Sequence, residues 1–99
     1  MSSVFDNCNN LNNIILNSFN TINTTKMSYM FSNCKRLKEI NISNFNTENV
    51  VDFSSMFYGC SSLLELNLSN FNTKKTKDMY KMFYNCSSLI KLSLKTYSS

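Results

Sequence analysis

Histidine, tryptophan, proline and alanine are missing from this 99-residue chain, and glycine occurs once, at Gly59. Without histidine the chain lacks the side chain best suited to acid–base work near neutral pH, and a residue to complete a usual zinc set. The six acidic residues are scattered, and the many serines and threonines have no Gly-x-Ser-x-Gly elbow or partner base. With no constellation of acid, base and nucleophile, the chain reads as a non-enzyme without a cofactor. No apolar run is long enough to span a membrane, and the first residues lack the basic and apolar regions of a signal peptide. The missing residues mostly have GC-rich codons and the favoured Asn, Lys, Ile and Phe have AT-rich ones, which points to an AT-rich genome.

What the chain does contain is one motif, repeated. Cys8, Cys34, Cys60 and Cys86 stand 26 positions apart. Met30-Phe31-Ser32-Asn33-Cys34-Lys35-Arg36-Leu37 returns as Met56-Phe57-Tyr58-Gly59-Cys60-Ser61-Ser62-Leu63 and as Met82-Phe83-Tyr84-Asn85-Cys86-Ser87-Ser88-Leu89. A fixed period of this length marks a solenoid, whose units bury their apolar faces against one another. Met27, Met30, Phe31 and Cys34 lie at i, i+3, i+4 and i+7, which predicts a helix of about two turns. Asp52 and Asp78 are placed to cap such helices in the following units, and Asn33, Gly59 and Asn85 to end them in a left-handed conformation. Leu37-Ile40-Ile42, Leu63-Leu66-Leu68 and Leu89-Leu92-Leu94 then predict a short strand with alternate residues outward. Phe19, Phe45, Phe71 and Tyr97 form an expected aromatic column, with Asn20, Asn46 and Asn72 as hydrogen-bonding ladders. The expected fold is α/β, a right-handed solenoid of about four 26-residue coils, each a short helix plus a short strand, in a single domain over residues 1–99. A lone unit would not fold, because ordering its backbone costs roughly 1 to 2 kcal/mol per residue against roughly 1.5 to 3 kcal/mol per buried apolar side chain.

The residues Met27-Ser28-Tyr29-Met30-Phe31-Ser32-Asn33-Cys34, followed by Ile40-Asn41-Ile42-Ser43-Asn44-Phe45-Asn46-Thr47, carry a wider likeness that returns over residues 53–73. The pattern resembles leucine-rich repeats, and more closely their BspA-like branch of bacterial surface protein repeats, along the whole chain. The resemblance implies a leucine-rich-repeat-like solenoid in a surface-exposed recognition or adhesion array, hence a cell-surface or extracellular setting. With no signal peptide or anchor in the chain, a cytoplasmic one stays open.

The cysteines have no close-spaced partners and complete apolar stripes, so they are expected as buried free thiols rather than disulfides or metal ligands. Met30, Met56 and Met82 read as core filling rather than a copper site. The net charge of +4 is carried partly by Lys35-Arg36-Lys38 and Lys74-Lys75-Lys77-Lys81. No nucleic-acid motif or coherent basic stripe accompanies these clusters, so nucleic acid is not expected as a partner. The leading expectation is a recognition module that presents its strand face to a protein or glycan ligand. Glu39, Asn41, Ser43, Glu65, Asn67, Ser69, Lys91, Ser93 and Lys95 are the candidate contacts, because they alternate with the buried positions. The alternative is a structural spacer or self-associating array. The chain starts in mid-unit register without visible polar caps, which suggests a segment of a longer array or association through its ends.

Overall fold

The computed structural model describes residues 13–15, 21 and 23–94. It contains four short strands, β1 (Asn13–Ile15), β2 (Glu39–Asn41), β3 (Glu65–Leu68) and β4 (Lys91–Leu94). β1 pairs with β2 and β3 with β4, in parallel and each 26 residues apart, with Glu65 opposite Lys91 and Leu66 opposite Leu92. Parallel bridges from Lys26 to Asp52 and from Asp52 to Asp78 keep the same offset.

The expected helix-plus-strand solenoid of four coils is not what forms. Among the described residues there is no helix, and the structure is a small body of tight turns and short strands. The reason lies in where the amides go. An α-helix closes every N–H onto the carbonyl four residues back. Here Met27, Tyr29, Phe31 and Asn33 donate instead to the carbonyls of Asp52, Ser54, Met56 and Tyr58 in the next unit, at 2.9, 3.1, 2.8 and 2.6 Å. Phe53, Ser55, Phe57 and Gly59 do the same to Asp78, Tyr80, Met82 and Tyr84. The intervening amides of Met30, Ser32 and Cys34 close turns onto Met27, Tyr29 and Phe31, three residues back.

Left-handed residues make this alternation possible. Tyr29 and Asn33 have φ of 58° and 59°, Ser55 and Gly59 of 55° and 73°, and Lys81 and Asn85 of 54° and 62°. A left-handed residue every fourth position breaks the right-handed run that a helix needs: in the first two of these pairs its own amide reaches the neighbouring unit, while the next amide closes a turn three residues back. Asn33, Gly59 and Asn85 do adopt the left-handed conformation expected of them, but at the third position of tight turns rather than at helix ends. Asp52 and Asp78 likewise bind local amides without capping a helix, their Oδ1 atoms accepting from Ser54 at 2.8 Å and Tyr80 at 2.9 Å.

The core sits between the turns and the strands. Met27, Met30, Phe31, Cys34 and Leu37 are fully buried, as are Phe53, Met56, Phe57, Cys60 and Leu63. Rings stack across units, Phe31 on Phe57 at 5.6 Å and Phe57 on Phe83 at 6.1 Å. Phe45 and Phe71 are buried too, with Phe71 against Phe53 at 5.2 Å, whereas Phe19 and Tyr97 of the expected column lie outside the described residues. The polar ladder is made mainly by threonine. The buried Thr21 hydroxyl accepts from the Asn46 amide at 2.7 Å and donates to the Asn46 carbonyl at 3.1 Å, and Thr47 repeats this with Asn72. The side chains of Asn46 and Asn72 turn instead to the amides of Glu48 and Lys74, two residues on. Asn70 provides a second clamp, its Nδ2 lying within 3.1 to 3.2 Å of the carbonyls of Ile42, Ser43 and Phe45.

Two outcomes test this fold. The far-ultraviolet circular dichroism spectrum should lack the paired minima of an α-helix. Thr47→Val should lower the stability to urea by about 1 to 3 kcal/mol, because it strands both backbone groups of Asn72, while Thr47→Ser should cost less.

Candidate functional site

Three features of the surface and core have chemistry to offer. The first is the strand face. Glu39, Asn41, Ser43, Glu65, Asn67, Ser69 and Lys91 are exposed and Ser93 half-buried, while Lys95 lies outside the described residues. Parallel register brings Glu65 beside Lys91 and Asn67 beside Ser93, and these four line a shallow groove of about 110 Å³. Part of this polarity is turned inward on the chain. Asn41 Oδ1 accepts from the amide and hydroxyl of Ser43 at 3.1 and 2.7 Å, and Asn67 Oδ1 from the amide of Ser69 at 3.0 Å. Leu64 and Ile90 stand at the entrances of β3 and β4 with 42% and 81% of their surface exposed. The Ile90 amide donates to the Leu64 carbonyl at 2.9 Å, so the two residues are neighbours. Sequence spacing assigned the apolar positions around them to the core and missed this pair. The signal was present in Lys38, which holds the equivalent place in the preceding unit and marks it as outward.

The second feature is a groove on the turn side, which sequence reading also missed. Tyr29, Tyr58, Tyr80 and Lys81 border it over a floor that includes Asn33 and Ser55, enclosing about 410 Å³. A neighbouring groove continues from Asn33 and Tyr58 toward Lys35 and Asn85. Tyr58 stacks on Tyr84 at 5.3 Å, and the Lys81 ammonium lies over the rings of Tyr80 and Tyr84 at 5.3 and 4.9 Å. Tyr29 and Tyr58 hold different places within their units, so only stacking brings them together.

The third feature is the line of thiols. Cys34, Cys60 and Cys86 are free, the first two fully buried. Each of the later two donates to a carbonyl of the unit before it, Cys60 to Phe31 at 3.0 Å and Cys86 to Phe57 at 3.1 Å. Burial, with the neighbouring Cys34 and Cys86 adding to it, pushes the Cys60 thiol up to about 12, and burial also raises Cys86. A thiol held this far above its ordinary value is neutral and unreactive at neutral pH. Among the described residues no group of three or more His, Cys, Asp or Glu side chains could hold a metal ion, and no helix is long and apolar enough to cross a membrane.

Residues 1–98 match the family described as Mycoplasma protein of unknown function, DUF285, and the chain belongs to that family. No curated protein and no solved structure matches it.

The thiol geometry predicts slow chemistry and an alkaline weakness. Cys34 and Cys60 should resist native labelling and react at once in denaturant. Because the folded value of Cys60 lies above the unfolded value near 9.0, its contribution to stability is complete below about pH 9 and is lost as pH rises toward 12. Unfolding curves of the wild type and Cys60→Ala across that range should therefore converge as pH rises, and parallel curves would contradict the assignment.

Proposed function

We propose that this chain is a non-enzymatic recognition module whose strand face engages a protein or glycan partner, in the surface or extracellular setting that its BspA-like resemblance implies. The observation that supports this reading is the exposed pair Leu64 and Ile90 beside Glu65, Asn67, Lys91 and Ser93. Stacking does not require apolar side chains there, since Lys38 occupies the same place one unit earlier and is exposed. An apolar pair at the head of two rows of polar strand residues sets anchors and hydrogen-bonding groups side by side, as a contact patch requires. The test is to compare the wild type with the combined variant Leu64→Lys, Ile90→Lys on glycan arrays and on a panel of purified extracellular proteins. Any ligand retained by the wild type should bind the variant at least about tenfold more weakly while thermal unfolding is unchanged. Equal retention would sink the reading.

A second reading has its own observation. Met79 is 47% exposed where its equivalent Phe53 is fully buried, and Leu92 is 39% exposed where Leu66 is 1% exposed. These side chains of the last described unit are thus more exposed than their equivalents one unit earlier, and a second copy of the chain stacked there would bury them. Light scattering over a concentration series separates the readings: growth in mass that Met79→Lys abolishes supports a self-associating array, and a constant monomer mass excludes it.

A further inference from the structure

We propose that the tyrosine-bordered groove on the turn side is a second binding site, independent of the strand-face reading, and that it takes an acidic peptide segment of a protein partner. Three observations lead there. The first is charge. The lining residues of this groove and its continuation include Lys81 and Lys35 and no carboxylate. Asp78 is close in sequence but lines neither groove, and its Oδ1 accepts from the Tyr80 amide. Lys81 itself has no carboxylate partner among the described residues and is held over two tyrosine rings. A cation resting over two rings with no carboxylate beside it is available to an incoming anion.

The second observation is composition. Apart from the lysines, the two grooves are lined only by Tyr, Ser, Asn and Gly side chains. These are the residue types that dominate protein-binding loops of antibodies, where tyrosine supplies large contact area at low entropic cost and the small polar residues adapt their hydrogen bonds. Here they stand on a backbone tied to its neighbours by the inter-unit ladder, so little ordering is needed on binding.

The third observation separates peptide from sugar. A pyranose ring stacks on an open aromatic face, and here one face of Tyr58 is covered by Tyr84 and one face each of Tyr80 and Tyr84 by the Lys81 ammonium. The rings also offer a ligand their edges and hydroxyl groups. Together with the ammonium they suit a chain with carboxylates and peptide carbonyls.

The experiment uses the whole chain with three probes: a labelled Glu-rich peptide, its Gln counterpart, and polygalacturonate as an anionic glycan. Fluorescence anisotropy should show the Glu-rich peptide binding at least about tenfold more tightly than the Gln counterpart, and Lys81→Gln weakening it about tenfold. Lys74→Gln removes the same charge from an exposed position outside both grooves and should leave binding unchanged. Equal losses in the two variants would reduce the effect to net charge and overturn the site. Tighter binding of polygalacturonate than of the peptide, or no peptide binding at all, would overturn it as well.

Discussion

The rest of the structure depends on one interaction, the backbone ladder that joins each unit to the next. Alternate amides from Met27 to Asn33, and from Phe53 to Gly59, give their protons to carbonyls 25 residues further along. Parallel pairing of β1 with β2 and of β3 with β4 holds the same register elsewhere in the unit. Each such bond is worth only about 0.5 to 1.5 kcal/mol net, but leaving one unmade in a buried place costs about 1 to 3 kcal/mol. The ladder therefore acts mainly as a constraint on spacing. A unit one residue longer or shorter would misalign every donor on one side, which accounts for a period of 26 kept without insertion.

Side chains follow from that register. Identical positions stack, so Phe31, Phe57 and Phe83 form one column of rings and Thr21 and Thr47 bridge equivalent backbone groups. Cysteine suits its position because it is small, is inexpensive to bury, and still donates weakly to the carbonyls of Phe31 and Phe57. Gly59 shows how tight the stack is. A Cβ there would meet the side chain of Asn33 in the preceding unit, at a φ of 73°. The chain's one glycine therefore makes room for the asparagine side chain beside it.

Burial was legible in the sequence, and conformation was not. The spacing i, i+3, i+4, i+7 in Met27, Met30, Phe31 and Cys34 marks four residues that all face the core. Two consecutive four-residue turns, each with an apolar residue at both ends, produce the same spacing as two turns of helix. The turns 27–30 and 31–34 are closed by the amides of Met30 and Cys34. The difference lies in Tyr29, Ser55 and Lys81, which are left-handed without being asparagine or glycine, and nothing in their identity announces it. The strands were easier, since Leu66 and Leu68 alternate with exposed Glu65 and Asn67. The inter-unit role foreseen for Asn46 belongs to Thr47 and Asn70, because Asn46 Oδ1 finds a nearer amide at Glu48.

The same stacking divides the positions of a unit into two classes. Those that face the core or the ladder hardly vary, as in Met30, Met56 and Met82 or Cys34, Cys60 and Cys86. Others change freely: Tyr29, Ser55 and Lys81 share one place, and Lys38, Leu64 and Ile90 another. At these places the backbone makes the inter-unit bonds whatever the side chain, so surface chemistry is released from the demands of folding. Both candidate surfaces are built from this second class, the apolar pair at the strand entrances and the tyrosine and lysine border of the turn-side groove. Their members come from different units, with Tyr29, Tyr58 and Tyr80 following one another at intervals of 29 and 22 residues. The repeat thus reveals the framework and conceals the surface, which takes shape only where neighbouring units with different outward residues meet.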